Sequence, residues 1–379
     1  METQLPKTMA EANRSGGGTQ PWKHLWRRLW SSPWPTLGCE ISQTGISVAR
    51  WSWNTARLEA VAWKPLPDGA IEASPLRENI RQPEPVREAL GAALALLGIV
   101  PSPNSSRHPA DSLLVIPDQA ARLFVFELEI LPQRPAEALS LIQWRLKKSV
   151  PFDIESAAIS YLAQRRGEQW EVLAVTAPQA VVRQYETMLE DFGLRPRCVI
   201  LSTLASLGWL RKTGGNGGGP SLPVSREGAA VGSGPFPAPA ALKLSAGSRA
   251  GAGPGVLVGK YSPPWFTTAI LQAGQLRLFR TVGLSAGPEG LLSPDHVLEA
   301  LYPSMAYFQD NFGGQLERAY LCGLGDSSPA LAELLQREFR LEVAPLGENG
   351  SLGGAGLEAS QQERYFSALM GVVWEHSRG

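Results

Sequence analysis

The sequence predicts an α/β protein of two similar lobes around a cleft, with a subdomain inserted into the first. Three observations predict it. Strand-sized and helix-sized apolar patterns run in hairpin-then-helix order twice, once after Leu37 and once after Gly255. Between them, Gly214 to Gly255 holds twelve Gly and six Pro in 42 residues, past the ~25–30% that marks low complexity. An extra β-α-β-β piece, about Asp118 to Ala177, is set into the first half. The chain divides into a disordered tail plus short helix over 1–36 and a first lobe over 37–210, whose inserted piece spans about 118–177. A flexible insert over 211–255 and a second lobe over 256–379 follow.

The first lobe opens with a strand-like region marked by Leu37, Cys39, Ile41, Ile46 and Val48, interrupted by the turn-like Ser42-Gln43-Thr44-Gly45. Arg57 to Lys64 reads as the next strand. From Pro85 to Leu97, the residues Val86, Leu90, Ala93, Leu94 and Leu97 keep helical spacing. Ser112 to Ile116 is a short continuous apolar run, as in a strand covered on both faces. Arg122 to Ile130 alternates, and Pro135 to Ser149 is a helix with Leu139, Ile142 and Leu146 inward. Strands near Ala158 to Ala163 and Trp170 to Thr176 follow. Pro178 to Phe192 is a helix burying Val181, Val182, Tyr185, Met188, Leu189 and Phe192, closed by Gly193. A strand around Cys198 to Leu201 and a helix reaching Leu210 complete the lobe.

Gly214 to Gly255 buries too little apolar surface to offset the entropy of ordering it. Beyond it come strands near Val256 to Val258, Trp265 to Leu271 and Gln275 to Thr281, the last two joined by Gln272-Ala273-Gly274. A long helix keeps Val297, Leu301, Met305, Phe308 and Phe312 in phase. Ala319 to Cys322 and Leu341 to Val343 are strands, with a helix over Pro329 to Phe339 between them. Gln361 to Trp374 closes the chain as a helix with Phe366, Leu369 and Val373 inward.

Ahead of both lobes, Met1 to Gln20 is polar and Gly/Ser-rich. Then Trp22, Leu25, Trp26, Leu29 and Trp30 share one helical face, opposite Lys23, His24, Arg27 and Arg28. Trp22, Trp26 and Trp30 with Arg27 and Arg28 make the pattern of a helix lying on an anionic membrane surface. A short helix docked on its own domain has the same pattern.

Composition removes several functions. Lys+Arg (35) balance Asp+Glu (35), which excludes the basic footprint of a general nucleic-acid binder. No run reaches the ~18 apolar residues of a membrane span, and the basic start leads into no long apolar segment of a secretory signal. Cys39, Cys198 and Cys322 are far apart, fall in predicted strands, and read as small core residues of a protein in a reducing cytosol. His24, His108, His296 and His376 have no metal-ligand spacing. There is no P-loop of the Gly-x-x-x-x-Gly-Lys type. Arg145, Lys147, Lys148, Arg165 and Arg166 read as a solvated basic face. The expectation from composition is a soluble, cytoplasmic, multidomain protein.

The most specific stretch is Ile142-Gln143-Trp144-Arg145-Leu146-Lys147-Lys148-Ser149-Val150-Pro151-Phe152-Asp153. It resembles the signature of the PilM-type type IV pilus assembly proteins, a helix with Ile-x-Trp followed by Pro-Phe. Other landmarks fall in the same order: Leu66 to Ile71, Val115 to Pro117, Ala177 to Val182 and Leu321 to Gly325. These proteins are relatives of the cell-division protein FtsA in the actin-like ATPase superfamily. The resemblance covers about Leu37 to Leu210 and Val256 to Val373. It implies the duplicated ribonuclease H-like fold with an FtsA-type insertion.

It also implies a site for ATP and magnesium, held by backbone N–H groups of two Gly-rich hairpins that each open with an Asp. PilM-type first loops read Asp-Ile-Gly-Ser-x-x-Ile-Lys; here the stretch is Glu40-Ile41-Ser42-Gln43-Thr44-Gly45-Ile46-Ser47. A carboxylate survives at Glu40, Ser42 replaces the phosphate-facing Gly, Thr44 remains polar, and Gly45 partly restores the turn. In the second loop, with Gly274 in register, Gly259 takes the place of the Asp. Pro263 and Pro264 remove two N–H donors there. Gly323 and Gly325 match glycines that pass adenosine, and a strand-to-helix turn explains them equally well. Hydrolysis needs metal-held phosphates and an oriented water. The expectation is therefore a degenerate site with no catalytic residue and weak ATP binding at most, a pseudo-ATPase.

PilM-like proteins capture the cytoplasmic N-terminal tail of the single-span membrane protein PilN, in a groove between the inserted subdomain and the first half. The resemblance implies such a partner here, bound by apolar anchors and main-chain hydrogen bonds. By matching positions, Phe124, Phe126, Trp144, Pro151 and Phe152 are expected in or under that groove; core packing of the inserted piece is the alternative for each. Two other functions compete. One is a working actin-like ATPase or sugar-kinase relative using Glu40 and Asp326. The other is a cytoplasmic component like GspL of type II secretion, which normally continues into a membrane span.

Overall fold

The computed structural model describes residues 34–55, 57–99, 109–210, 230–231, 254–287, 291–347 and 359–376. The Trp22 to Trp30 helix and most of Gly214 to Gly255 lie outside the described residues.

Strands β1 (Leu37–Ile41), β2 (Gly45–Ser52) and β3 (Arg57–Pro65) form an antiparallel meander. Helix α1 (Pro83–Leu96) follows, with Pro83 and Glu84 in its first turn, where a missing N–H and a negative charge suit the helix end. It buries Val86, Leu90, Ala93 and Leu94. The crossover delivers β4 (Ala110–Ile116) parallel to β1. All five residues of β1 are buried, as expected for the middle strand of a covered sheet.

Four elements interrupt the lobe: β5 (Arg122–Leu128), α2 (Pro135–Leu146), β6 (Ala157–Arg166) and β7 (Gln169–Pro178). Helix α3 (Gln179–Glu190) then leads to β8 (Leu194–Leu201), parallel to β4. The first sheet has the order β3-β2-β1-β4-β8. A separate sheet, β5-β7-β6, is extended at β6 by β9 (Ala230–Val231). Strand alternation gives this inserted sheet two faces. Leu123, Val125, Leu162, Leu173 and Val175 join the main core of the first lobe. Ile159, Tyr161, Val172 and Ala174 pack instead with Ile142 and Leu146 of α2.

A short helix, α4 (Ser202–Ser206), with a 3-10 turn over Leu207–Trp209, leaves the first lobe. The second lobe repeats the plan. Its meander is β10 (Gly255–Ser262), β11 (Trp265–Gln272) and β12 (Gln275–Gly283). Then come α5 (Pro294–Phe312), β13 (Leu316–Cys322), α6 (Ser328–Phe339) and β14 (Glu342–Pro345), in the sheet order β12-β11-β10-β13-β14. A second apolar cluster, including Phe266, Leu301, Phe308, Leu321 and Leu335, lies within this lobe. Helix α7 (Ala359–His376) returns to the first lobe, where Phe366, Leu369 and Val373 join the main core.

Each strand and helix expected after Leu37 is present, and the differences are at ends. The helix expected to Ser149 stops at Leu146, because Pro151 is close ahead and bars a further turn. The strand expected at Cys198 starts at Leu194, and the strand expected over Val256 to Val258 runs from Gly255 to Ser262.

Candidate functional site

The two meanders point their first hairpins at the same cleft. In the first, Ser42 N–H donates to Gly45 O at 3.0 Å, and Ser42 Oγ donates to the same oxygen at 2.7 Å. A Cβ on Gly45 would lie 2.6 Å from Lys64 O and from the Trp63 indole nitrogen. Gly45 is thus a glycine because β3 passes so close. Glu40 sits opposite Ser47 across the hairpin and opposite Val115 in the parallel strand. In the second lobe the residue that meets Glu40 in the cleft is Lys260, which sits opposite Thr267 and Cys322.

This corrects the expectation for Gly259. Side chains alternate along a strand, so a slip of one residue exchanges the cleft face for the core face. Gly259 takes the core face, where an added Cβ would meet the Phe266 ring at 2.8 Å. Lys260 takes the cleft face.

Lys260 is 4% exposed and donates to Ser202 Oγ at 2.7 Å, to Ser206 Oγ at 2.8 Å and to Ser202 O at 3.4 Å. These use all three N–H donors of the ammonium. Ser202 Oγ in turn donates to Glu40 Oε1 at 2.5 Å, and Lys260 Nζ lies 4.0 Å from that oxygen. A second clasp lies beside the first. Asp118, 6% exposed, accepts from Thr203 N–H at 2.9 Å, Thr203 Oγ1 at 2.5 Å and Thr267 Oγ1 at 2.8 Å. Glu40, Asp118, Ser202 and Thr203 belong to the first lobe, Lys260 and Thr267 to the second. Buried charges of this kind persist only when paired or hydrogen-bonded, and here each has its partners in the opposite lobe or in α4.

Between the hairpins remains a cavity of about 20 Å³, lined among others by Glu40, Ser42, Thr44, Asp118, Ser202 and Pro263. That is room for one water. As arranged, these residues do not fit a magnesium nucleotide. Glu40 is engaged by Ser202, an ammonium stands where the second acid would be, and Pro263-Pro264 at the second hairpin tip offers no N–H donor.

Gly323 and Gly325 do not line this cavity. Gly323 has φ 74° and lies against β10, where a Cβ would come within 2.2 Å of Tyr261 O. Its N–H donates to Glu363 Oε1 at 2.9 Å. The pair forms the strand-to-helix turn before α6. Burial raises the Glu363 pKa above the ordinary glutamate value, opposed by the Gly323 N–H and by Lys260. Burial likewise pushes the Cys322 thiol to about 12, and Cys39, Cys198 and Cys322 are all free and buried. Asp326 is exposed. Among the described residues no group of three or more His, Cys, Asp or Glu is placed to hold a metal.

The expected tail-groove residues all belong to the inserted subdomain, some half-buried and some exposed. Phe124, Phe126 and Phe152 are half-buried against the cluster under α2. Their face of the inserted sheet is turned away from the first lobe's core, which receives Leu123 and Val125. The period-two alternation of β5 makes that division. Trp144 is 72% exposed on α2, and Pro151 is exposed.

Sequence reasoning missed Lys260, Asp118, Ser202, Thr203, Ser206 and Thr267. Two signals were available. Ser202 and Ser206 are four apart and share a helix face, and Lys260 interrupts the apolar run Val256-Leu257-Val258 with a charge just before a hairpin tip.

No protein-family model and no curated protein matches the sequence. Solved structures do. One is the PilM-PilN type IV pilus biogenesis complex, with TM-score 0.63 and 16% identity, over 91% of this chain and 99% of that one. A protein of actin-like ATPase fold from Bacteroides thetaiotaomicron has TM-score 0.41 and 9% identity, over 81% of this chain and 89% of that one. The cytoplasmic domain of EpsL, an inner membrane component of the Vibrio cholerae type II secretion system, has TM-score 0.41 and 11% identity, over 89% and 93%. The chain has the actin-like ATPase fold, with the inserted sheet in its first lobe, as the PilM-type resemblance implied.

Proposed function

We propose that this protein is a non-hydrolysing scaffold in the cytoplasmic part of a type IV pilus inner-membrane platform, holding the N-terminal tail of a PilN-like membrane protein. The observation that carries the reading is the Lys260 ammonium in the cleft, bonded to Ser202 and Ser206 and 4.0 Å from Glu40. An actin-fold ATPase needs a metal and an open phosphate cradle at that place, because its catalysis is positioning and charge stabilisation. Here a tethered cation occupies it, so the two lobes are held as a fixed platform. Support for the pilus assignment is the whole-chain likeness to a protein solved as the PilM-PilN complex. Among the described residues no helix is long and apolar enough to cross a membrane; in this reading attachment comes through the partner.

Titration with a fluorescent ATP analogue, a phosphate-release assay and fluorescence anisotropy of a labelled PilN-type tail peptide test the proposal together. Tail binding without magnesium-dependent turnover is expected. Turnover that depends on magnesium and is lost in Glu40→Ala overturns it. Removing Gln119 to Thr176 is expected to abolish tail binding; a folded deletion protein that binds the tail normally would refute the assignment of the tail to the inserted sheet.

A further inference from the structure

We infer that the second lobe binds a free α-amino acid with an apolar side chain, in a cavity at the N-terminal ends of β13 and β14. The site is separate from the cleft and from the inserted sheet, and it does not depend on tail capture.

Topology makes the place. β13 and β14 run parallel, and each is entered from a helix, α5 ending at Phe312 and α6 at Phe339. The two helix-to-strand turns therefore lie side by side, and a cavity of about 480 Å³ opens there. That is within the ~300–1,000 Å³ of small-molecule sites. β13 begins at Leu316, which lines the cavity, and ends at Cys322, opposite Lys260 of the cleft. Its seven residues, at about 3.3 Å each, put roughly 20 Å between the two places.

The walls say what fits. Met305, Phe308 and Leu341 give the cavity a buried apolar floor, and the exposed Tyr302 stands beside it. Glu317 and Arg340 also line it. Both are exposed, and among the described residues neither side chain makes a hydrogen bond or an ion pair. Their sequence neighbours do: Arg318 pairs with Glu342 at 2.6 Å, and Arg337 with Glu338 at 3.0 Å. One cavity thus holds an acid and a base that do not neutralise each other. Arg340 also has φ 55°, the left-handed conformation in which α5 ends on Gly313 at φ 61°. Glycine makes that turn without steric strain. Arginine here sets a guanidinium at the cavity in a turn that favours glycine.

These are the complements of a zwitterion. The C-terminal ends of α5 and α6 carry partial negative charge, with carbonyls that have no donor in their own helix. Together with Glu317 they favour an ammonium. The forked guanidinium of Arg340 suits a carboxylate. The ligand's side chain then covers the apolar floor and removes it from water.

The test is calorimetric titration of the full chain with L-phenylalanine and L-leucine. Saturable binding of at least one of them is expected at about millimolar concentration or below. The matching amine (phenethylamine or isoamylamine) and the matching acid (hydrocinnamate or isocaproate) are each expected to bind at least about tenfold more weakly. Arg340→Gly removes the guanidinium and eases the turn, so it is expected to melt no lower than wild type while weakening the amino acid at least about tenfold. Glu317→Gln, at an exposed position, is expected to weaken it to a similar degree. Three results overturn the inference. They are no saturation by either amino acid up to about 10 mM, binding that both variants leave unchanged, and equal binding of the amine, which would make the cavity a site for cations alone.

Discussion

Lys260 Nζ lies 4.0 Å from Glu40 Oε1, and both atoms are joined to the hydroxyl of Ser202. The acid stands near the tip of one hairpin, opposite Ser47, and the base near the tip of the other, opposite Thr267. Two acids facing each other there would repel and call for a divalent cation. An acid and a base attract, and Ser202 supplies the hydrogen bonds that their desolvation requires.

The first prediction tests that pair. Lys260→Ala leaves the Glu40 carboxylate buried with Ser202 as its hydrogen-bonding partner. Stability to urea is expected to fall by about 3–5 kcal/mol. Combining Lys260→Met with Glu40→Gln removes both charges and is expected to recover most of that loss, as a double-mutant cycle reads it. A loss below about 0.5 kcal/mol in Lys260→Ala, the range of an ordinary surface change, would show that the lobes do not depend on the pair.

The order of strands and helices was legible because it depends on periodicity, which each segment carries by itself. Val86, Leu90 and Leu94 announce α1 without help from the rest of the chain. The cleft was legible only in part. Glu40 could be found from its hairpin, but Lys260 needed the register of β10, and a one-residue slip put Gly259 in its place. The Asp118–Thr267 bond joins residues 149 apart, and nothing local in either segment announces it. The same holds for Phe124 and Phe126. Alternation said that they share a face; which neighbour covers that face depended on the tertiary packing.

Arg277 and Glu171 give a second prediction. Arg277 Nη1 donates to Glu171 Oε2 at 2.9 Å, with the side chains 5% and 3% exposed, and this joins β12 of the second lobe to β7 of the inserted sheet. Arg166 also reaches Glu171, at 3.5 Å, and the Arg277 guanidinium lies over the Phe312 ring, 5.4 Å from its centroid. Glu171→Ala strands a buried guanidinium and is expected to cost about 3–5 kcal/mol. Glu171→Leu with Arg277→Met is expected to be far milder. Hydrogen exchange should rise along β7 and β12 in the single variant; exchange unchanged there would mean that the pair is not what joins the two sheets.

A third prediction concerns pH. Burial raises the Glu363 pKa above its ordinary 4.5. Above 4.5 the unfolded chain gives up this proton while the folded protein still holds it, so folding stability falls as pH rises through the window up to the folded value. Glu363→Gln keeps an acceptor for the Gly323 N–H and carries no titratable proton. Its stability relative to wild type is expected to increase from pH 4.5 upward and then level off. Denaturation curves at a series of pH values measure it, and a difference independent of pH would contradict the assignment.

The last prediction is about what holds α4 in place, since α4 carries Ser202 and Ser206 to Lys260. Helix α7 meets α4 and its following turn backbone to backbone. A Cβ on Gly371 would lie 2.1 Å from Ala205 O, and a Cβ on Gly208 would lie 2.0 Å from Gly371 O. Trp209 Nε1 donates to Ser367 O at 2.9 Å beside this crossing. Two effects oppose each other in Gly371→Ala. Alanine is the better helix former by about 1 kcal/mol. The overlap, however, is with backbone atoms that no rotamer change can move aside, and overpacking of this kind typically costs about 1–3 kcal/mol or more. The steric term is expected to win, so Gly371→Ala should melt at lower temperature than wild type. Separation of α7 from α4 also shifts Ser202 and Ser206, so the stability lost on Lys260→Ala should be smaller in the Gly371→Ala background than in wild type. A Gly371→Ala protein as stable as wild type, with the full Lys260 effect retained, would show that the close crossing of α7 does not position the cleft.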